Sequence, residues 1–246
     1  VKRRDLFMAT AGLLVLWWLT ALLVNTPLLP TPWNVVKSLV YELGHGLMGH
    51  FLASLWRVVA STVLSILLAA PAGMILGQSK KLDAFFAPVI YLLYPIPKVV
   101  FVPIILLFLG IGDLPKIVII TLILFFQILV LVRDQAAALR PELIQSVRSL
   151  GAGRRALFRY VYLPASLPAV LTALRQSIGT AVAVLYIAEL FATQKGLGYY
   201  IYYNGSTLLN YPAMYAGVVM MSVLGLGLYF AVDALERRLT PWQRTH

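Results

Sequence analysis

Residues 6–24, 117–132 and 212–232 contain no Asp, Glu, Lys or Arg, and three further apolar stretches are interrupted by only one or two charges. Crossing a hydrocarbon core of about 30 Å takes about 20 helical residues, so stretches of this length constrain the chain to span a membrane. Strands of a membrane barrel alternate polar and apolar residues, and these stretches do not. The spans are therefore helices and the expected class is all-α. The composition agrees, with 61% hydrophobic and 12% charged residues in 246, far from a soluble domain. With no Cys, disulfides, thiolate chemistry and Cys-ligated metals are excluded. His45 and His50 are five residues apart, a poor spacing for a shared metal on one helical face, so no metal site is expected.

Six spans are predicted, at about 6–24, 51–77, 84–110, 116–132, 165–191 and 212–232, within one transmembrane domain covering 1–246. The first is too long for a signal peptide's apolar core and is followed by no clean small-residue cleavage site. An external connector, 25–50, follows it, with Asn34 as the expected cap of a short helix. In the second span Ser61, Ser65, Ala69, Gly73 and Gly77 recur every fourth residue, a small-residue stripe that lets another backbone approach closely. The third is broken at Pro95 and Pro97, and broken backbone at membrane depth is tolerated only against protein or a water-filled cavity. Gly196 and Gly198 are expected in an external turn, with Tyr199, Tyr200, Tyr202 and Tyr203 in an interfacial belt.

Of 20 Lys and Arg residues, this topology puts 14 inside: Lys2, Arg3, Arg4, Lys80, Lys81, Arg133, Arg140, Arg148, Arg154, Arg155, Arg159, Arg237, Arg238 and Arg244. Only Lys37, Lys116 and Lys195 fall outside, while Arg57, Lys98 and Arg175 lie within spans. That asymmetry predicts both termini in the cytoplasm, and it accounts for most of the +11 net charge without nucleic acid.

The one long basic stretch between spans is the cytoplasmic loop 133–162. Pro141 suits a first helical position, Glu142 the first turn, and Gly151 a left-handed stop. Leu139, Leu143, Ile144, Val147 and Leu150 fall along one side, an amphipathic element that needs a partner surface, whether lipid headgroups or protein.

Gln145-Ser146-Val147-Arg148-Ser149-Leu150-Gly151, followed after nine residues by Val161-Tyr162-Leu163-Pro164, resembles the cytoplasmic signature loop of binding-protein-dependent ABC importer permeases. Gln145, Ser146 and Val147 stand where that signature usually has Glu, Ala and Ala. LLPTPWNVV, SLWRVV, PIPKVVFVPIILLFLGIGD, LPASLPAVLTALR and GLGYYI are similar to segments of the nitrate, sulfonate and taurine importer permeases. The resemblance implies a homodimer in the bacterial inner membrane, two cytoplasmic ATPases that bind ATP and Mg, and an extracytoplasmic substrate-binding protein. It further implies that Gln145, Ser146, Val147, Arg148, Leu150, Gly151 and Ala152 form a coupling helix between spans 4 and 5 that meets an ATPase. The chain itself has no Walker-type loop and no catalytic constellation, so it is expected to be neither an ATPase nor a cofactor enzyme. The implied substrate is a small anion, with an aromatic or vitamin-like ligand as the alternative. From another class, a secondary transporter or channel would also suit six helices and a broken span.

Four charges within the spans complete the expectations. Arg57 and Glu189 both lie near the external ends of their spans, where a charge costs about 2.5–3.5 kcal/mol, so they either pair with each other or each snorkel to the outer interface. Arg175 lies 11 residues past Pro164, about 16 Å into span 5, and needs a carboxylate, carbonyls or water. With Lys98 it either lines the path of an anion or ties span 5 to the carbonyls freed by Pro95 and Pro97. Gly179 and Ala183, at four-residue spacing from it, are expected on a closely packed face.

Overall fold

The computed structural model describes residues 3–191 and 193–241; Lys2, Trp242, Arg244 and His246 lie outside the described residues. Helices follow one another in the order α1 (Arg3–Val24), α2 (Pro32–Glu42), α3 (Met48–Gln78), α4 (Lys80–Leu93), α5 (Val102–Leu109), α6 (Asp113–Ala137), α7 (Pro141–Ser149), α8 (Arg154–Leu157), α9 (Leu163–Leu190), α10 (Leu197–Tyr202) and α11 (Tyr211–Leu239). No strand occurs among the described residues. The protein is an all-α polytopic membrane protein.

Two compact units are distinguishable, one comprising Val1–Ser54 with Glu189–Leu224 and the other Leu55–Ala188 with Gly225–His246. The second is built on a close pairing of α3 with α6. Ser61 Oγ lies 3.2 Å from the Ile117 carbonyl and Ser65 Oγ 3.2 Å from that of Thr121. A side chain at Gly73 would sit 2.8 Å from the Leu129 carbonyl, and one at Gly77 would meet the Arg133 carbonyl. The small-residue stripe is thus where two backbones approach. Each hydrogen bond joins residues 56 apart, so α3 and α6 run parallel in one register. From Ser61 to Gly77 this contact covers about 24 Å at 1.5 Å per residue, most of a hydrocarbon core.

Parallel neighbours require the chain between them to return across the layer. α4 and the run Lys98–Leu109 make that return, bent by 77° at the two prolines where the sequence predicts a break. Counted as one span, the bent pair brings α1, α3, α6, α9 and α11 to six candidate spans by length and composition. Asp83 near the start of α4 pairs with Arg133 near the end of α6, Nη2 lying 2.9 Å from Oδ2.

In the first unit, α2 begins at Pro32 and is capped by Thr31, whose side chain accepts from the Asn34 N–H at 3.4 Å. Asn34 is therefore not the cap. Pro32 at the first helical position fixes the helix start three residues earlier than a cap at Asn34 requires. The segment after α9 differs more. Leu197, Gly198, Tyr200 and Ile201 are buried in α10, so this is a packed helix and not a turn, with Tyr202 and Tyr203 exposed.

Candidate coupling surface and buried charge sites

The loop after α6 forms the two short helices expected. α7 starts with Pro141 and ends at Ser149, with Leu150 as its C-terminal cap; Gly151 then takes φ +81° and donates its N–H to the Arg148 carbonyl at 2.9 Å. The apolar residues divide between two surfaces. Ile144 and Val147, with Leu139, pack against Leu157, Val161 and Tyr162. Leu143 and Leu150 stay exposed, Leu150 at 84%, beside the exposed Gln145, Ser146 and Arg148. Val147 thus faces inward while Leu143 joins the outward surface. The chain does not break at Leu163-Pro164, because residues 155–190 run on as one helical rod in which Pro164 occupies an early position of α9.

Arg57 is 3% exposed and binds Asp113 at the head of α6, with Nε and Nη2 at 2.8 and 2.7 Å from Oδ1. Asp113, which falls between predicted spans 3 and 4, is thus the first acidic residue of α6 and 56 positions from Arg57, in the register of Ser61 with Ile117. Glu189 belongs to the other unit and is fully buried there. Its oxygens accept from Ser54 Oγ at 2.8 and 2.9 Å and from the Gly198 N–H at 2.8 Å. Ser54 Oγ in turn accepts from the Leu197 N–H at 2.8 Å, and His50 Nδ1 from the Gly196 N–H at 3.1 Å. Side chains of α3 and α9 therefore hold the three successive amides that lead into α10.

Lys98 sits in the break of the bent span, 9% exposed. Its ammonium donates to the carbonyls of Leu93, Tyr94 and Ile96 at 2.9, 3.0 and 3.3 Å and lies 4.5 Å from the Phe126 ring centre. Three carbonyls at the bend are thus taken by Lys98, while Arg175 turns elsewhere. Arg175 finds carboxylates, its Nη1 3.0 Å from Glu236 Oε2 and 3.7 Å from Asp233 Oδ1, and Asp233 also pairs with Arg237 at 2.7 Å. Both partners lie within the last two turns of α11. Gly179 and Ala183 are exposed, and nothing lies within 4 Å of a side chain built at Gly179, so this face of α9 is open within the chain.

A family of transport proteins, the binding-protein-dependent transport system inner membrane components, matches residues 65–241. The chain belongs to this family. It is an importer permease, a transport component rather than an ATPase, and the secondary transporter or channel is set aside. The permease is 32% identical over 240 residues to the taurine transport system permease protein TauC of Escherichia coli (strain K12), covering 94% of this chain and 87% of that protein. It is 27% identical over 234 residues to the formylaminopyrimidine transport permease protein ThiX of Halalkalibacterium halodurans, covering 94% and 93%. A chain of the inward-facing MetNI methionine ABC transporter shares its fold, with a TM-score of 0.66 at 20% identity over 81% of the permease and 98% of that chain.

Proposed function

We propose that the permease carries a small oxyanion, of the sulfonate class, into the cytoplasm as a dimer of two copies served by two ATPase subunits and an extracytoplasmic binding protein. The likeness to a taurine permease over nearly the whole chain supports the substrate class. The outward surface of α7 and the turn after it carries the coupling reading. Leu143, Gln145, Ser146, Arg148, Leu150 and Gly151 leave an apolar edge flanked by polar groups, while Val147 and Ile144 fasten the helix from behind. ATP and Mg belong to the partner that docks there.

Substituting Gly151 tests this. A side chain there meets nothing within 4 Å, but φ +81° strains a β-branched residue by about 1 kcal/mol or more, turning Leu150 away from its position. Gly151→Val is expected to insert normally and to lose co-purification with the ATPase or ATP-driven uptake; normal uptake would refute the coupling role.

Lys98 and Arg175 divide under the same proposal. Lys98 has its three donors committed to carbonyls, so a passing anion would meet its field and not its hydrogen bonds. Arg175 is balanced by Asp233 and Glu236, which favours the structural tie over the path. Uptake should slow in Lys98→Gln, whereas Arg175→Gln should fail first in assembly. An Arg57–Glu189 pair would appear as non-additive stability losses in Arg57→Gln, Glu189→Gln and the double variant.

The orientation is tested by labelling, for which the absence of Cys is convenient. A single Cys at the exposed Ile111 is expected to react from outside, and one at Leu150 from the cytoplasm. The reverse pattern would invert the topology.

A further inference from the structure

We propose that the groove between α4 and α6 on the side of Tyr91 and Tyr94 is the cytoplasmic part of the solute path and takes the oxyanion head of the solute. This rests on the import of a small anion proposed above. The groove encloses about 590 Å³ and is lined by Ala87, Tyr91, Tyr94 and Pro95 on one side and Val130 and Arg133 on the other. That volume is ordinary for a small-molecule site.

Three observations point to water and solute in place of lipid. Tyr91 is 81% exposed and Tyr94 47%, and neither hydroxyl has a hydrogen-bond partner among the described residues. At the bend, the Pro95 carbonyl also lacks one. Hydrocarbon does not tolerate free backbone groups unless protein or a water-filled cavity lies beside them. The groove on the other side of α4 shows the contrast. It is enclosed by Phe86, Val89, Leu93, Phe125, Phe126 and Leu129 among other apolar residues, with no polar side chain, as lipid or another apolar surface requires.

The groove's chemistry selects its occupant. Tyr91 and Tyr94 offer donors, and the one cation lining the groove, Arg133, stands at its end where Asp83 orients it through Nε and Nη2. A sulfonate or carboxylate, which only accepts hydrogen bonds, can take both hydroxyl protons with the Arg133 guanidinium near its charge. Lys98 secures the geometry by tying Leu93, Tyr94 and Ile96 to one point, which fixes Tyr94 at the upper end.

The test uses single-Cys variants of the assembled permease–ATPase complex in inside-out vesicles, with methanethiosulfonate ethylsulfonate as a small, water-soluble sulfonate probe. Tyr91→Cys and Tyr94→Cys are expected to react at least about tenfold faster than Phe86→Cys and Val89→Cys, because a thiol reacts only where water reaches it. The Tyr91→Phe/Tyr94→Phe variant is expected to raise the KM for taurine uptake by about tenfold, the scale of losing hydrogen bonds to a charged group. Equal reaction rates on the two sides of α4 would overturn the proposal by showing a groove covered by lipid or by the second copy. So would fast reaction with taurine uptake untouched by the double variant. Fast reaction in a complex that does not carry taurine would refute the substrate reading instead, since accessibility to the probe is independent of what is transported.

Discussion

Gly77→Val is expected to prevent α3 and α6 from packing and to leave little folded permease. The first atom added at Gly77 already collides with the Arg133 carbonyl and lies 2.7 Å from Ala136 Cβ, and neither backbone nor Cβ can rotate away. Overpacking a core costs about 1–3 kcal/mol when side chains can yield, so about 3 kcal/mol or more is expected here. The displacement would also propagate. α3 and α6 share one register from Ser61 and Ile117 onward, and Arg133 holds Asp83 at the start of α4. Gly179→Val is the matched control, because a side chain at Gly179 meets nothing within 4 Å. Thermal unfolding of the purified variants in detergent should show Gly77→Val severely destabilised and Gly179→Val close to the parent. Equal stability would mean that α3 and α6 do not approach at this glycine.

Glu189→Ala is the second large effect. The carboxylate is fully buried, and its removal leaves the Gly198 N–H and the Ser54 hydroxyl without this acceptor. An unsatisfied buried group costs about 1–3 kcal/mol, so two of them put the loss at roughly 2–6 kcal/mol. Ser54→Ala, which orphans the Leu197 N–H and one donor to Glu189, should cost less, and Glu189→Gln least, because an amide oxygen still accepts. Hydrogen exchange at the Leu197 and Gly198 amides reports the same order directly. Unchanged exchange in Glu189→Ala would show that the amides leading into α10 are held by something else.

Much of the architecture was legible because the features that set it are local or periodic. Ser61, Ser65, Ala69, Gly73 and Gly77 mark a close helix contact by spacing alone, though not that α6 is the partner. Pro95 and Pro97 mark the bend, and Gly151 the end of α7, because backbone chemistry permits little else there. What escaped was pairing at a distance. Asp113 looks like a turn residue until α6 is seen to begin with it, 56 residues from Arg57. Asp233 and Glu236 follow the predicted end of span 6 at 232, yet α11 continues to Leu239 and presents both to Arg175. The tyrosines around Gly198 have an interfacial composition, but Glu189 and Ser54 draw the Leu197 and Gly198 amides inward and Tyr200 is buried with them. The register of a tertiary contact leaves no periodic trace in a single sequence.

The central claim is that this permease moves a small oxyanion only when an ATPase drives it. The direct measurement is uptake of labelled taurine into proteoliposomes holding the permease with its co-purifying ATPase subunit, its binding protein supplied on the outside face and ATP within. Uptake that requires ATP and the binding protein, and that unlabelled sulfonates suppress, is the predicted result. Taurine uptake that persists without ATP or without the ATPase subunit would contradict it.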